Sequence, residues 1–181
     1  MAKPSETAVR VAGLPQSGET PFSCVPTPDA LEEIARALDL IAVRKLRFEG
    51  TIAPLGASDW QLAGRLGATV VQNCVVSTVP VTTRIDMPVH RQFLANYREP
   101  TDLETEMTDD DTVEALSDWI DPAVVMQEAL SIAVPDYPRA EGATLGQMVY
   151  AARGTPAMTD ADAKPFAGLA DLKAKLEGDE N

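Results

Sequence analysis

Two side chains in this sequence have the chemistry of a nucleophile and a base: Cys74 and the single histidine, His90. A catalytic cysteine needs a lowered pKa and a base within hydrogen-bond reach. The surroundings of Cys74, VVQNCVVSTVP, supply neither a positive charge nor a glycine-rich turn. Cys74 therefore reads as a small, partly buried thiol beside a strand turn, and His90 as a surface residue before Arg91. Cys24, fifty residues upstream, reads as packing. With no CxxC pair, no second ligand cluster and one histidine, neither a disulfide framework nor a structural zinc is expected. Asp109-Asp110-Asp111 lacks the D-x-D-x-D-G spacing of a calcium loop. Neither GxGxxG nor GxxxxGK[ST] occurs, so no phosphate cradle is present. No carboxylate sits in the apolar setting that marks a general acid. These residues make no case for an enzyme, a metal site or a cofactor.

The basic residues are more informative. Residues 36–98 hold eight of them (Arg36, Arg44, Lys45, Arg47, Arg65, Arg84, Arg91 and Arg98) against four acids, a net +4. Residues 99–136 hold twelve acids and no base. Arginine suits bidentate contact with phosphate. Strand parity turns Arg47, Arg65 and Arg84 away from the aliphatic positions, where they either form one patch or merely solubilise the outer face of a sheet. Arg44, Lys45 and Arg91 join them as candidate nucleic-acid contacts. No stacking aromatics lie on that face, so RNA would be met through phosphates or helix shape.

The elements that must position these groups follow from periodicity. Thr27-Pro28 is a hydroxyl cap followed by proline at the first helical position, and Leu31, Ile34, Ala35 and Leu38 keep helical spacing, which predicts a helix over 28–39. The period then falls to two. Leu46, Phe48 and Ile52 oppose Arg47, Glu49 and Thr51. Trp60, Leu62, Leu66 and Val70 oppose Gln61, Arg65 and Thr69. Val79, Val81, Thr83 and Ile85 alternate over 79–86, and a further strand from Met87 to Tyr97 is anchored by Val89, Phe93 and Tyr97. Short turns between consecutive strands favour an antiparallel meander. Val9–Val11 and Phe22–Val25 suggest two short strands. Asp121-Pro122 signals a second helix that ends before Pro135.

The chain has 181 residues and a mass of 19.4 kDa, which suits one domain with a tail. Hydrophobic residues make up 45 % and aromatics 5 %, so Leu, Val, Ile and Ala must form the core. The formal net charge of −13 excludes the whole-molecule basic field usual for DNA binding. There is no signal-peptide h-region and no apolar stretch of membrane-spanning length, so a cytoplasmic protein is expected.

Taken in order, QNCVVSTVPV (72–81), the acidic run, IDPAVVMQEALSIAVPDYPRAEGA (120–143) and KPFAGLADLK (164–173) resemble the YceD family (DUF177), named for large ribosomal RNA subunit accumulation, and its alphaproteobacterial branch most closely. The resemblance spans about residues 22–176. Many members carry CxxC in the first segment; Cys74 matches its first cysteine and Ser77 stands at the second, a departure that argues against a metal or redox role here. Asp121, Glu128, Pro135 and Pro138 match recurring positions, as do Pro165, Phe166, Leu169 and Leu172. The resemblance implies a non-enzymatic ribosome-biogenesis factor that supports 23S rRNA accumulation and binds rRNA, a pre-50S particle or a basic ribosomal protein, without DNA or membrane. The alternative is an acidic, chaperone-like module for such a protein with no RNA contact.

The expected fold is α+β, with an antiparallel sheet, open or barrel-like, packed by two main helices. The expected organisation is a flexible N-terminal segment (1–20), a domain (21–137) with an acidic loop at 99–118, and a mostly flexible tail (138–181) with a short C-terminal helix. Leu46, Phe48, Ile52, Leu62, Leu66, Val70, Val81 and Ile85 should be buried.

Overall fold

The computed structural model describes residues 5–97 and 112–144, with single positions at 151, 154 and 158. All its helices and strands lie in a compact unit of residues 1–141; a second unit, 142–181, has neither among its described residues. The fold is α+β. Strands β2 (Thr20–Cys24), β3 (Ala42–Leu55), β4 (Asp59–Asn73) and β5 (Pro80–Leu94) form an antiparallel meander in sequence order, and β6 (Val113–Ala115) adds to the far edge in parallel. The sheet keeps two edges and does not close into a barrel. A two-stranded ribbon pairs β1 (Val9–Arg10) with β7 (Trp119–Ile120).

Helix α1 (Pro28–Ala37) starts where its cap predicts: the Thr27 hydroxyl accepts from the Ala30 N–H at 3.3 Å, and proline opens the helix. Helix α2 (Pro122–Ala133) repeats the device with Asp121, whose Oδ1 accepts from the Ala123 N–H at 3.0 Å. Both helices pack on the sheet, α1 against β3 and α2 across β2, β3 and β4.

The core lies between them. Phe48, Ile52, Leu66, Val70, Ile120 and Leu130 are completely buried, with Leu46, Trp60, Leu62 and Ile85 close behind. Of the expected core, Val81 is the exception, only half-buried. It pairs with Gln72 near the β4–β5 turn, at the end of the ladder. Gly64 shows how tight the centre is. A Cβ there would meet the Phe48 ring at 2.7 Å and the Glu49 carbonyl at 2.8 Å, so the missing side chain is the space that ring occupies.

The two strands expected over 79–86 and 87–97 are instead one, β5 (Pro80–Leu94). Pro88 does not interrupt it, for a reason visible in the ladder. Gln92 donates its N–H to the Thr112 carbonyl on the β6 side. Pro88 has the same parity, so its missing N–H falls on that side too, beyond the reach of β6, which pairs only residues 92–94. Tyr97, expected as an apolar anchor, is exposed. The acidic run with Arg98 (98–111) and the helix expected near the C-terminus lie outside the described residues.

Candidate nucleic-acid interface

The outer face of the sheet, opposite the helices, carries the arginines. In β3, Glu49 pairs with Arg65 of β4, which pairs with Pro88 of β5; the next row is Arg47, Gly67, Asp86; the next is Arg44, Thr69, Arg84. Period-two alternation puts Arg47, Arg65 and Arg84 on one face.

Arg44 reaches that face by a different route. Leu46 and Val43 are both buried although three residues apart, and the register slips by one residue between Arg44 and Arg47. This is a β-bulge, with Lys45 in the left-handed region at φ 52°. In a regular strand, residues three apart such as Arg44 and Arg47 would face opposite sides. The bulge puts Arg44 and Arg47 on the same face, with the exposed Lys45 between them in the chain.

Gly67 completes the arrangement. A Cβ there would lie 2.9 Å from Arg84 Nη2 and 3.6 Å from Arg47 Cγ, so the two side chains lean over the same glycine from adjacent strands. The patch is partly neutralised from within. Arg47 pairs with Glu49 at 2.6 Å, and Asp86 takes Arg65 at 2.5 Å and Arg84 at 3.6 Å. All are substantially exposed, so the pairs exchange readily with solvent and ligands. Arg44, Lys45, Arg47, Arg65 and Arg84 against Glu49 and Asp86 leave a clear positive surplus.

Arg91 stands apart. It has the parity of Val89 and Phe93, both buried, and its side chain is 14 % exposed, with Nε 3.0 Å from Glu114 of β6. Burial and the nearby Glu128 push the Glu114 carboxyl up, with Arg91 opposing. This ion pair fastens β6 to the sheet edge and contributes nothing to the outer patch.

The possible nucleophile and base are not brought together. His90 pairs with Ala63 on the outer face, whereas Cys74 lies at the β4–β5 turn. The strand between those levels is roughly 35 Å long at about 3.3 Å per residue. Cys24 is buried, and burial raises its thiol pKa. Cys74 is more than packing. Its buried Sγ accepts from the N–H groups of Val76, Ser77 and Ala140 at 3.3–3.4 Å. Hydrogen bonding from the Ser77 side chain, then from these amides, outweighs burial and lowers its pKa from 9.0 to about 6. The sequence carries no sign of this, because backbone amides have no letter of their own. Among the described residues no group of three His, Cys, Asp or Glu is placed to hold a metal ion.

Three of the motif positions meet at this same turn. The Pro138 carbonyl accepts from the Val75 N–H, and the Pro135 carbonyl from Gln72 Nε2, both at 2.9 Å. The segment after α2 is thereby stitched to the β4–β5 turn, with Cys74 at its centre. Asp121 caps α2 and also holds Ser5, accepting from its hydroxyl and its N–H. Glu128 is exposed on α2. Pro165, Phe166, Leu169 and Leu172 lie outside the described residues.

A family model described as "Large ribosomal RNA subunit accumulation protein YceD" matches residues 62–173, more than half of the chain. The chain belongs to the YceD family. Membership implies involvement in accumulation of the large-subunit ribosomal RNA, and the family is described by that role rather than by a catalysed reaction. The matched span includes β5, the Cys74 turn, α2 and most of β4. Comparisons with curated proteins and with solved structures give no match. Among the described residues no helix is long and apolar enough to cross a membrane.

Proposed function

We propose that this YceD-family chain is a non-enzymatic, cytoplasmic factor for large-subunit assembly that contacts the phosphate backbone of ribosomal RNA through the outer face of β3, β4 and β5. The observation that carries this reading is the gathering of Arg44, Arg47, Arg65 and Arg84 on one face, with the exposed Lys45 in the bulge beside Arg44 and with Glu49 and Asp86 offsetting only part of their charge. Guanidinium groups on three adjacent strands match the spread of phosphates along a helix better than they match a single small anion. The described positions of that face carry no Phe, Tyr or Trp, which favours phosphate contact and shape over base stacking.

The test is binding of the full chain to 23S rRNA fragments and to pre-50S particles at several salt concentrations. Each phosphate contact contributes about 0.7–0.9 to the slope of log affinity against log salt, so the surplus of roughly three charges predicts a slope near about −2 to −3. The triple variant Arg47→Ala, Arg65→Ala, Arg84→Ala should flatten that slope and leave the fold intact. Equal binding by the triple variant removes this surface from the mechanism. Co-purification of a basic ribosomal protein that survives RNase, with no RNA bound, would favour the acidic-module reading instead.

A further inference from the structure

A second surface has the opposite character. Between residues 10–12, the end of β5, the β6–β7 segment and the first turn of α2 lies an open groove of about 960 Å³. Its floor and walls include Val11, Phe93, Leu116, Trp119 and Val125. Trp119 is 42 % exposed and Val124, on the rim, 50 %, which is unusual for large apolar side chains so close together. The rim is acidic: Glu114, Asp118 and Asp121 line it, with Arg10 as the one basic lining residue among the described residues. Glu128 lies close enough to act on Glu114, and Arg91 offsets part of that charge.

A polyanion approaching this side meets like charge, whereas a cationic chain is drawn to it.

We propose that the groove is a docking site for a cationic segment of a partner protein, one that seats an aliphatic or aromatic anchor against Trp119 and Val124 and sets Lys or Arg against the acidic rim. The site is separate from the arginine face, so either surface can fail while the other stands. Apolar anchors in a groove supply the affinity, and the rim supplies selectivity and encounter rate.

The chain carries its own reporter. It has two tryptophans, of which Trp60 is buried and Trp119 lines the groove, so acrylamide quenching of the full-length protein reads Trp119. A short lysine-rich peptide with a central leucine pair should shield Trp119 and shift its emission to the blue. The same peptide with glutamine for every lysine should bind at least about tenfold more weakly, as should Val124→Lys and Asp118→Lys proteins tested with the lysine peptide. Val124 and Asp118 are exposed, and circular dichroism melts of the two variants should match the parent. The proposal is overturned if Trp119 is already shielded without peptide, because the chain then covers its own groove. It is equally overturned if the glutamine peptide binds as well, if the variants bind unchanged, or if an rRNA fragment protects Trp119 as the lysine peptide does.

Discussion

Replacing Asp86 by asparagine should make the protein bind ribosomal RNA more tightly, a gain of function that few structural substitutions would mimic. Asp86 bridges Arg65 at 2.5 Å and Arg84 at 3.6 Å on the outer face. The Asp86→Asn change keeps the shape but removes the charge. The positive surplus on the patch grows by one, and two guanidinium groups lose their internal partner. If each surplus charge corresponds to one phosphate contact, the salt slope should steepen by about 0.7–0.9. Stability should change by no more than about 1 kcal/mol, since exposed ion pairs contribute about 0–1 kcal/mol. The assay is a filter-binding or anisotropy titration of the full chain with a 23S fragment across a broad salt range, beside a urea melt. The triple arginine-to-alanine variant moves the slope the other way. A parent that binds RNA while Asp86→Asn leaves both affinity and slope unchanged would refute the role given to this face, because its electrostatic surplus would then be irrelevant to binding.

Other outcomes follow from the packing and the caps. Gly64→Ala places a methyl group inside contact distance of Phe48 and the Glu49 carbonyl, and should cost about 1–3 kcal/mol in a denaturant melt, with no change in RNA salt slope. Asp121→Ala removes the α2 cap and the anchor of Ser5 together, and should cost about 1–2 kcal/mol; hydrogen exchange should quicken at Val11, whose N–H bonds Asp118 in the neighbouring ribbon, and Asp121→Asn should recover most of the loss. The Cys74 thiolate absorbance should titrate near pH 6 in the folded chain. Its pKa is depressed on folding, so its stabilisation is absent below pH 6 and grows as pH rises towards the ordinary value of 9.0. The stability gap between parent and Cys74→Ala should widen over that window, and a gap independent of pH would show that the thiolate is not held as the geometry implies.

Local signals were the readable ones. Thr27-Pro28 and Asp121-Pro122 place both helix starts because cap and proline act within one turn, and Leu46 to Ile52 and Leu62 to Val70 place the core because alternation is a property of the strand itself. The outer position of Arg47, Arg65 and Arg84 comes from the same alternation. What escaped depends on pairing across the chain. The bulge at Lys45 left one trace, the apolar pair Val43 and Leu46 at a spacing incompatible with period two. Arg91 groups with the other cations by charge, although its parity with Val89 and Phe93 already turns it inward. β6 has three residues and a parallel partner, and nothing in VEA marks it as a strand. The amides around Cys74 come from 76–77 and from residue 140, a convergence that no spacing rule encodes.

Strand β5 explains how a chain of net charge −13 can offer two surfaces of opposite sign. Its register with β4 is unbroken from Pro80 to Phe93, so side chains alternate faces along its whole length. Arg84 and Asp86 fall on the outer face with the β3 and β4 arginines; Val89, Arg91 and Phe93 fall on the other, where Phe93 lines the acidic groove and Arg91 binds Glu114. A one-residue slip of β5 would send Arg84 inward and Pro88 against the β4 ladder, losing both surfaces together. The ladder is held in register by Ile85, Val89 and Phe93, all buried. The same aliphatic pattern that builds the core therefore turns Arg84 outward with the arginine patch and Phe93 towards the acidic groove, so one strand serves surfaces of opposite net sign.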